Sequence, residues 1–230
     1  MQEAVAAAHF SGLAARIEHG EPFSAETLAR RIPTAWTALD RVCSDAVGRA
    51  AITLALRDMN DRNPAADFEG WSTALGGTEA LLRRMAACSP SDGNVWARLA
   101  LIERVIVMPM PVIVATMRLS EKLSPAEYGP LLARLEVARL ADPALAAATA
   151  EITDRDLDRF LAQAPAYQSL DSLRWLRAQP RFDFDRRVAA LPPERYDTFK
   201  RAGVFDEAKK DEGDPKLFQL PEAPPPWLGP

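Results

Sequence analysis

Apolar residues recur at three- and four-residue intervals along most of the chain, between short stretches rich in proline, glycine, serine and aspartate. This spacing places apolar side chains on one face of a helix, whereas a half-buried strand would show strict alternation. The breaks carry helix-stopping and helix-capping residues. The pattern predicts helices at 3–17, from Ser24 to Pro33, from Thr34 towards Cys43 and Ala46, at 68–88, from Val95 onward, at 124–140, 142–160, 169–176 and 193–202. Residues 46–59 either continue one of these helices or form a separate one.

The segment 89–100 contains the clearest stop and start signals in the chain. Pro90 cannot continue the preceding helix, and it biases Ser89 away from helical geometry. Asp92 or Asn94 can then accept a hydrogen bond from the free amides of the next helix. The segment therefore predicts a helix, a tight turn and a second helix.

The spacing within this segment is typical of the junction between two tetratricopeptide-like repeats. A tryptophan six residues after the proline packs between helices, and a small residue four positions later lets the paired helix approach closely. The repeat period of about 34 residues is not kept, because Pro130 falls where the next tryptophan would lie. We therefore expect an irregular array of antiparallel helical hairpins, a TPR-like solenoid. The predicted structural turn and inter-helix wedge consists of Pro90, Asp92, Trp96, Leu99 and Ala100.

The most apolar stretch of the chain is 105–115, which Pro109 and Pro111 interrupt. It is too short to cross a membrane, which takes about 18 or more apolar residues. The main interpretation is that one helix ends before the prolines, its mate begins at Val112, and the whole stretch packs inside. The alternative is an exposed apolar loop that binds a partner, because exposed apolar patches mark contact sites.

Composition favours an all-α protein of ordinary charge. Apolar residues make up 48% of the 230 residues and aromatic residues only 7%, which favours helix over sheet and allows a sizeable core. The formal net charge is -4, so the chain has no overall positive field that would attract nucleic acid. Paired arginines at 30–31, 83–84 and 186–187 are expected on solvated helix faces. Residues 1–20 lack the layout of a signal peptide.

The inventory for catalysis and metal binding is poor. His9 and His19 lie ten residues apart, with no cluster of ligands at metal-binding spacing. Cys43 and Cys88 fall in apolar settings and are expected to be small core residues, although a disulfide would be possible in an oxidising compartment. We therefore predict no catalytic residue, no cofactor and no metal.

Two further patterns allow a structural and a functional interpretation. The acidic run 151–158 resembles a cation loop but lacks its glycine and its distal glutamate, so Asp154 is expected as a helix cap, with Asp156 and Asp158 solvated. Tryptophans occur mainly at helical apolar positions and are expected in the core or between helices, with a sugar-stacking groove as the alternative. These tryptophans are Trp36, Trp71, Trp96 and Trp175.

Charge and proline dominate from Asp206 onward. We therefore divide the chain into a helical domain at 1–205 and an extended or disordered tail at 206–230. Some residues of the tail are apolar enough to form a docking peptide. They are Leu217, Phe218, Leu220, Trp227 and Leu228.

The order of motifs resembles a family of tetratricopeptide-like proteins associated with bacterial exopolysaccharide and O-antigen biosynthesis. The resemblance covers about residues 10–165 and rests on short motifs, none of them catalytic. The motifs are Arg16 to Gly20, Arg41 to Cys43, Arg49 to Leu54, Cys88 to Ala100, Arg118 to Ser120, Ser124 to Tyr128 and Arg134 to Arg139.

The resemblance implies a non-catalytic interaction scaffold, an accessory component of polysaccharide synthesis or export that binds protein partners. It also implies either the periplasmic side of the cell envelope, normally behind an N-terminal membrane helix that is not seen at Met1-Gln2-Glu3, or the cytoplasm. A glycan- or small-molecule-binding module that uses a groove between helices is the alternative function, and an enzyme is the least favoured class.

Overall fold

The computed structural model describes residues 2–18, 21–41, 43–166 and 169–206, and this part of the chain is all-α, as the hydrophobic pattern predicts. It contains eleven α-helices, one 3-10 turn and no strand. The helices are α1 (Gln2–Glu18), α2 (Ala25–Arg41), α3 (Asp45–Asp61), α4 (Phe68–Cys88), α5 (Gly93–Val105), α6 (Met110–Leu123), α7 (Tyr128–Arg139), α8 (Pro143–Gln163), α9 (Leu170–Arg177), α10 (Phe184–Ala189) and α11 (Pro193–Arg201). The 3-10 turn is Pro180–Phe182.

Helices pack mainly against their first or second neighbours along the chain. α3 contacts α1, α2 and α4, and α4 also contacts α5. α5 contacts α6 and α7, and α8 contacts α6 and α7. Short connections therefore determine most of the packing.

Three apolar clusters form the core, and α5 belongs to two of them. Val95, Leu99 and Ile102 lie in the cluster formed by α1 to α5. Ala100 and Leu101 lie in a second cluster, which continues through α6, α7 and α8. A third cluster extends from α7 to the segment after α11. Because α5 is buried on several sides, it joins the N-terminal helices to the rest of the fold.

The turn predicted between α4 and α5 is confirmed in its local structure. α4 ends at Cys88, and the Asp92 side chain caps α5 by accepting a hydrogen bond from the Asn94 amide at 2.9 Å. Trp96 is half-buried and donates its indole N–H to the Pro90 carbonyl at 2.9 Å. The indole therefore ties α5 to the turn itself. Of the two cap candidates, Asp92 has this role.

The prediction that a helix ends at Pro33 is wrong. α2 continues through Pro33, and Thr34, expected as a new cap, lies inside it. Leu28, Ala35 and Leu39 are all buried, so one apolar face extends across the proline. Pro33 lies on the exposed side of α2, where the carbonyl that it leaves without an amide partner can bond to water.

The predicted starts at Ser124 and Asp142 have opposite outcomes. α7 begins three residues after Pro125, at Tyr128, because Ser124 caps the C-terminus of α6 and is buried. Asp142 caps α8 as predicted, and its carboxylate accepts from the Leu145 amide at 2.9 Å. A serine before a proline is compatible with either end of a helix. Ser124 lies at the C-terminal end of α6 because it is buried there.

The C-terminal part contains a helix that the pattern did not predict. α10 follows the 3-10 turn and buries Phe184 and Val188 against the third cluster. Six residues are too few to show helical periodicity. The predicted last helix is confirmed as α11. The described residues end at Asp206, the first residue of the predicted tail, and the five candidate docking residues named above lie outside them.

Some of the arginines expected on solvated faces also hold other parts of the protein. Arg84 donates to the Leu39 carbonyl near the end of α2 at 3.0 Å, and Arg187 contacts Asp154 and Asp158. The Arg84 contact satisfies a carbonyl that the end of α2 leaves without an amide partner. Arg30 remains on the surface. Arg83, Arg84 and Arg186 are exposed, as expected, and Arg84 and Arg187 also hold other segments of the chain.

Cys43 and Cys88 form a disulfide, with Cα atoms 5.4 Å apart. The expectation that both are small core residues is wrong for Cys43, which is exposed in the connection between α2 and α3. Cys88, the last residue of α4, is half-buried and packs against the cluster of α1 to α5. The apolar stretch around Cys43 does not extend α2, because Ser44 begins a new helix at Asp45. The disulfide fastens this connection to the end of α4.

A buried ion pair joins α7 to α8. Arg134 and Asp156 both have fully buried side chains, and the guanidinium donates two hydrogen bonds to the carboxylate, at 2.6 and 2.8 Å. The remaining guanidinium donor reaches the Ser120 hydroxyl at 2.8 Å and the Ser124 carbonyl at 3.2 Å. The prediction that Asp156 is solvated is therefore wrong, as is that of Asp154 as a cap, since both lie inside α8.

Gly93 completes this network at the start of α5. Ser120 donates its hydroxyl hydrogen to the Gly93 carbonyl at 2.8 Å. A Cβ atom on Gly93 would lie 2.8 Å from the Ser124 backbone nitrogen, closer than packed atoms approach. The network therefore links α5, α6, α7 and α8, and it requires a glycine at this position.

None of the helices in the described ranges combines the length and the apolar character needed to cross a bilayer.

Candidate binding cleft and exposed turn

An open cleft of about 500 Å³ lies between α2, α3 and α4. Its volume falls within the range of about 300–1,000 Å³ that is usual for small-ligand sites. We call its apolar lining residues the apolar wall and its four charged lining residues the charged wall. The lining residues are Ile32, Trp36, Ala55, Asp58, Arg62, Asp67, Glu69, Gly70, Thr73, Ala74, Gly77 and Thr78.

The charged wall contains a fixed ion pair. Arg62 donates two hydrogen bonds to Asp58, at 3.0 and 3.1 Å, and its third nitrogen lies 3.9 Å from an Asp67 carboxylate oxygen. The hydrogen bond to Asp58 raises the pKa of Arg62 above its usual value. Asp67 also caps α4 by accepting from the Gly70 amide at 2.9 Å. Arg62, Asp58 and Asp67 therefore have structural duties.

Glu69 is the free carboxylate of the cleft. It is exposed in the first turn of α4 and has no hydrogen-bond or ion-pair partner in the described part of the chain. Substitution of Glu69 therefore changes the charge of the cleft without breaking a hydrogen bond or ion pair in the described part of the chain.

Trp36 forms part of the apolar wall. It is half-buried, and a Cβ atom built on Gly77 would lie 3.5 Å from its ring. α2 and α4 therefore come close at Gly77. The expectation that tryptophans lie in the core or between helices fits this position. Of the four tryptophans considered for a sugar-stacking groove, Trp36 is the one that lines the cleft.

The turn between α5 and α6 is exposed and apolar. Val107 is 57% exposed and Met110 is 42% exposed, and Pro109 and Pro111 beside them are also exposed. The expectation that the whole stretch 105–115 packs inside is therefore wrong at its centre. Of the two prolines expected in the turn, Pro109 lies there as the residue before α6, whereas Pro111 lies in the first turn of α6. The exposed-loop alternative describes these residues better.

Val107 has a left-handed backbone conformation, with φ of 58°. Its amide bonds to the Arg104 carbonyl, and the Met108 amide bonds to the Glu103 carbonyl at 2.9 Å. This is a Schellman motif, whose left-handed position usually holds glycine. The chain follows the rule at the end of α11, where Gly203 has φ of 80° and makes the equivalent bonds. At Val107, a β-branched residue occupies the position that glycine fits best.

Glu103 lies one turn before Val107 and is only 1% exposed. One carboxylate oxygen lies 3.5 Å from Arg83, and the other has no partner in the described structure. Burial is the main cause that raises the pKa of the Glu103 carboxyl above its usual value. A hydrogen bond from the Thr116 hydroxyl and the charge of Arg83 lower this pKa, and the charge of Glu79 raises it. A charged residue among apolar ones is the one sign of this burial along the sequence.

We expect Glu103 to make folding stability depend on pH. The pKa of Glu103 is raised in the folded state. Its contribution to folding stability is therefore present below its pKa in the unfolded chain, about 4.3, and is lost as pH rises through its pKa in the folded protein. The Glu103→Gln variant should not lose this contribution. Urea titrations at a series of pH values should therefore show that, as pH rises, the free energy of unfolding of the variant increases by about 1–2 kcal/mol relative to that of the parent. Parallel curves for the two proteins would refute this role.

No cluster of three or more His, Cys, Asp or Glu side chains suited to a metal ion occurs in the described residues. The His9 side chain and all of His19 lie outside what the structure describes. Of the predicted turn residues, Pro90 and Trp96 are hydrogen-bonded at the α4–α5 junction and Leu99 is buried in the cluster of α1 to α5, and none of the three lines the cleft.

Comparisons with protein families, curated proteins and solved structures found no significant match to this chain or its fold. The class that the fold defines is an all-α protein of packed helices. Its functional assignment therefore depends on the cleft, the exposed turn and the sequence motifs described above.

Proposed function

We propose that this protein is a non-catalytic interaction scaffold, an irregular array of antiparallel helical hairpins of the TPR-like type. Contacts between first and second neighbours along the chain support this arrangement. An array of this kind presents its turns and grooves to other proteins. The function proposed for it is to hold a protein partner at the turn between α5 and α6.

The observation that carries this proposal is the conformation and exposure of Val107. A left-handed backbone costs about 1–2 kcal/mol for a residue with a Cβ atom. The exposed Val107 side chain recovers little of this cost by burial. Strained residues persist where a functional side chain is needed. If the Val107 and Met110 side chains form an apolar contact with a partner, that contact explains why a valine occupies this left-handed position.

The pathway assignment is a proposal that depends on the family resemblance alone. On that basis the partner belongs to a bacterial machinery for polysaccharide synthesis or export. The Cys43–Cys88 disulfide favours the periplasmic side over the cytoplasm, because disulfides persist in oxidising compartments.

Substitution of Val107 by glycine or asparagine is expected to separate stability from binding. Both residues accept the left-handed conformation, so each variant should gain about 1 kcal/mol in free energy of unfolding. Each should also capture less partner from native cells, because the apolar side chain is gone. Chemical denaturation and quantitative affinity capture measure the two effects.

Phe68→Ser provides the control for capture, since Phe68 is another exposed apolar side chain, on α4. It should leave capture at the parental level. Capture by Val107→Asn equal to that of the parent would contradict the proposal, as would equal losses in the two variants.

A second candidate function is a module that binds a glycan or another small molecule. The cleft between α2, α3 and α4 favours it, because an aromatic side chain lines it together with a fixed set of polar groups. Titration of the full chain with saccharides, followed by calorimetry, tests this candidate independently of the turn.

A further inference from the structure

The charge of the cleft determines which ligands it accepts. Asp58, Asp67 and Glu69 contribute three carboxylates against the single guanidinium of Arg62, which leaves a formal charge of −2. Arg62 already donates to Asp58 and lies near Asp67, so its positive charge is offset within the protein. An anionic ligand would therefore meet net repulsion, and a cation would meet net attraction.

The apolar wall adds a second requirement. Trp36 brings an aromatic ring to the cleft, and such rings attract alkylammonium and guanidinium groups through their quadrupole. Ile32, Ala55 and Ala74 provide apolar surface beside it. A ligand with a positive head and an aliphatic chain would satisfy both walls, whereas a neutral sugar would use neither the charge nor the aliphatic surface.

We propose that the cleft between α2, α3 and α4 binds an organic cation, an ammonium or guanidinium group on an aliphatic chain. This inference rests on the second candidate function, a ligand site in the cleft, and names the class of its ligand. Glu69 provides the free carboxylate for the cationic head of the ligand, and Trp36 and Ile32 contact the aliphatic chain of the ligand. The cation is either a free amine or a lysine or arginine side chain of a peptide.

Calorimetric titration of the full-length protein at low salt tests this proposal. Spermidine represents the free amine, and an end-blocked Ala-Lys-Ala peptide represents the side chain. Maltose and suberate are the neutral and anionic comparison ligands. Binding of either cation, with neither comparison ligand bound, supports the proposal and identifies the source. The affinity should also fall several-fold when the salt concentration rises above about 0.1 M.

Matched variants test the location. Glu69→Gln removes the free charge and should weaken binding of the cation about fivefold to tenfold. Glu194→Gln is the control, because Glu194 is likewise exposed in the first turn of a helix, at the far end of the chain. Gly77→Leu should block the cleft, whereas Gly76→Leu should not, because a side chain on Gly76 meets open space.

Three results would overturn the proposal. The first is equal affinity of the Glu69 and Glu194 variants, and the second is the absence of heat from both cations at about 5 mM, the weak end of ligand affinity. The third is binding of maltose without either cation, which would overturn the class of ligand while leaving a ligand site in the cleft. None of these results bears on the turn between α5 and α6.

Discussion

Replacement of Asp156 by asparagine is expected to lower the free energy of unfolding by about 3–5 kcal/mol. The substitution keeps the shape of the side chain but leaves the Arg134 guanidinium charged, fully buried and without its counter-ion. Moving such a charge out of water costs several kcal/mol, which the carboxylate currently offsets. Urea denaturation of parent and variant measures the loss.

Two variants show whether the charge is the cause. Asp154→Asn, two residues before Asp156 on the same helix, removes an exposed partner of Arg187 and should cost less than about 1 kcal/mol. The double variant Arg134→Met with Asp156→Leu removes both charges and should recover most of the loss. If Asp156→Asn were as mild as Asp154→Asn, the buried pair would not hold α7 and α8 together.

Removal of the disulfide is expected to have the second largest effect. Cys43 and Cys88 are 45 residues apart in sequence, so their bond restricts a long loop of the unfolded chain. Bonds of this kind stabilise by about 2–4 kcal/mol. The double variant Cys43→Ser with Cys88→Ser should lose this amount relative to the oxidised parent in chemical denaturation.

Reduction provides the internal control for the disulfide. The parent should lose the same stability in dithiothreitol, whereas the double variant should not respond to the reductant. An oxidised parent no more stable than the double variant would contradict a stabilising role for this bond.

The helices with long, uninterrupted apolar faces could be predicted from sequence. α4 is predicted in full, including Gly76 and Gly77, because its apolar positions keep helical spacing for 21 residues. The caps at Asp92 and Asp142 are also predicted, since each is a local hydrogen bond between a side chain and nearby amides. Such features depend only on residues close in sequence.

The failures share a tertiary cause. Pro33 did not end α2 because the apolar face continues beyond it, and Asp156 is buried because Arg134 reaches it from another helix. The disulfide likewise joins segments that are distant in sequence. Each outcome depends on which helices meet, and the pattern along one helix does not contain this information.

The two candidate sites differ in how visible they are in the sequence. The apolar residues of the α5–α6 turn stand out, but the left-handed conformation of Val107 does not, because glycine, its usual signal, is missing. The cleft combines Trp36 with acidic residues at 58, 67 and 69 from two other helices. Only the packing of α2 and α4 against α3 brings them together.

The most direct test of the proposed scaffold function is photo-crosslinking in native cells. The full-length chain would carry a photoreactive phenylalanine analogue in place of Met110, with a second protein labelled at Phe68 as the control. We expect the probe at 110 to form a reproducible adduct with one partner protein, and the probe at 68 to form none with it. No adduct at 110, or equal adducts at both positions, would contradict the account.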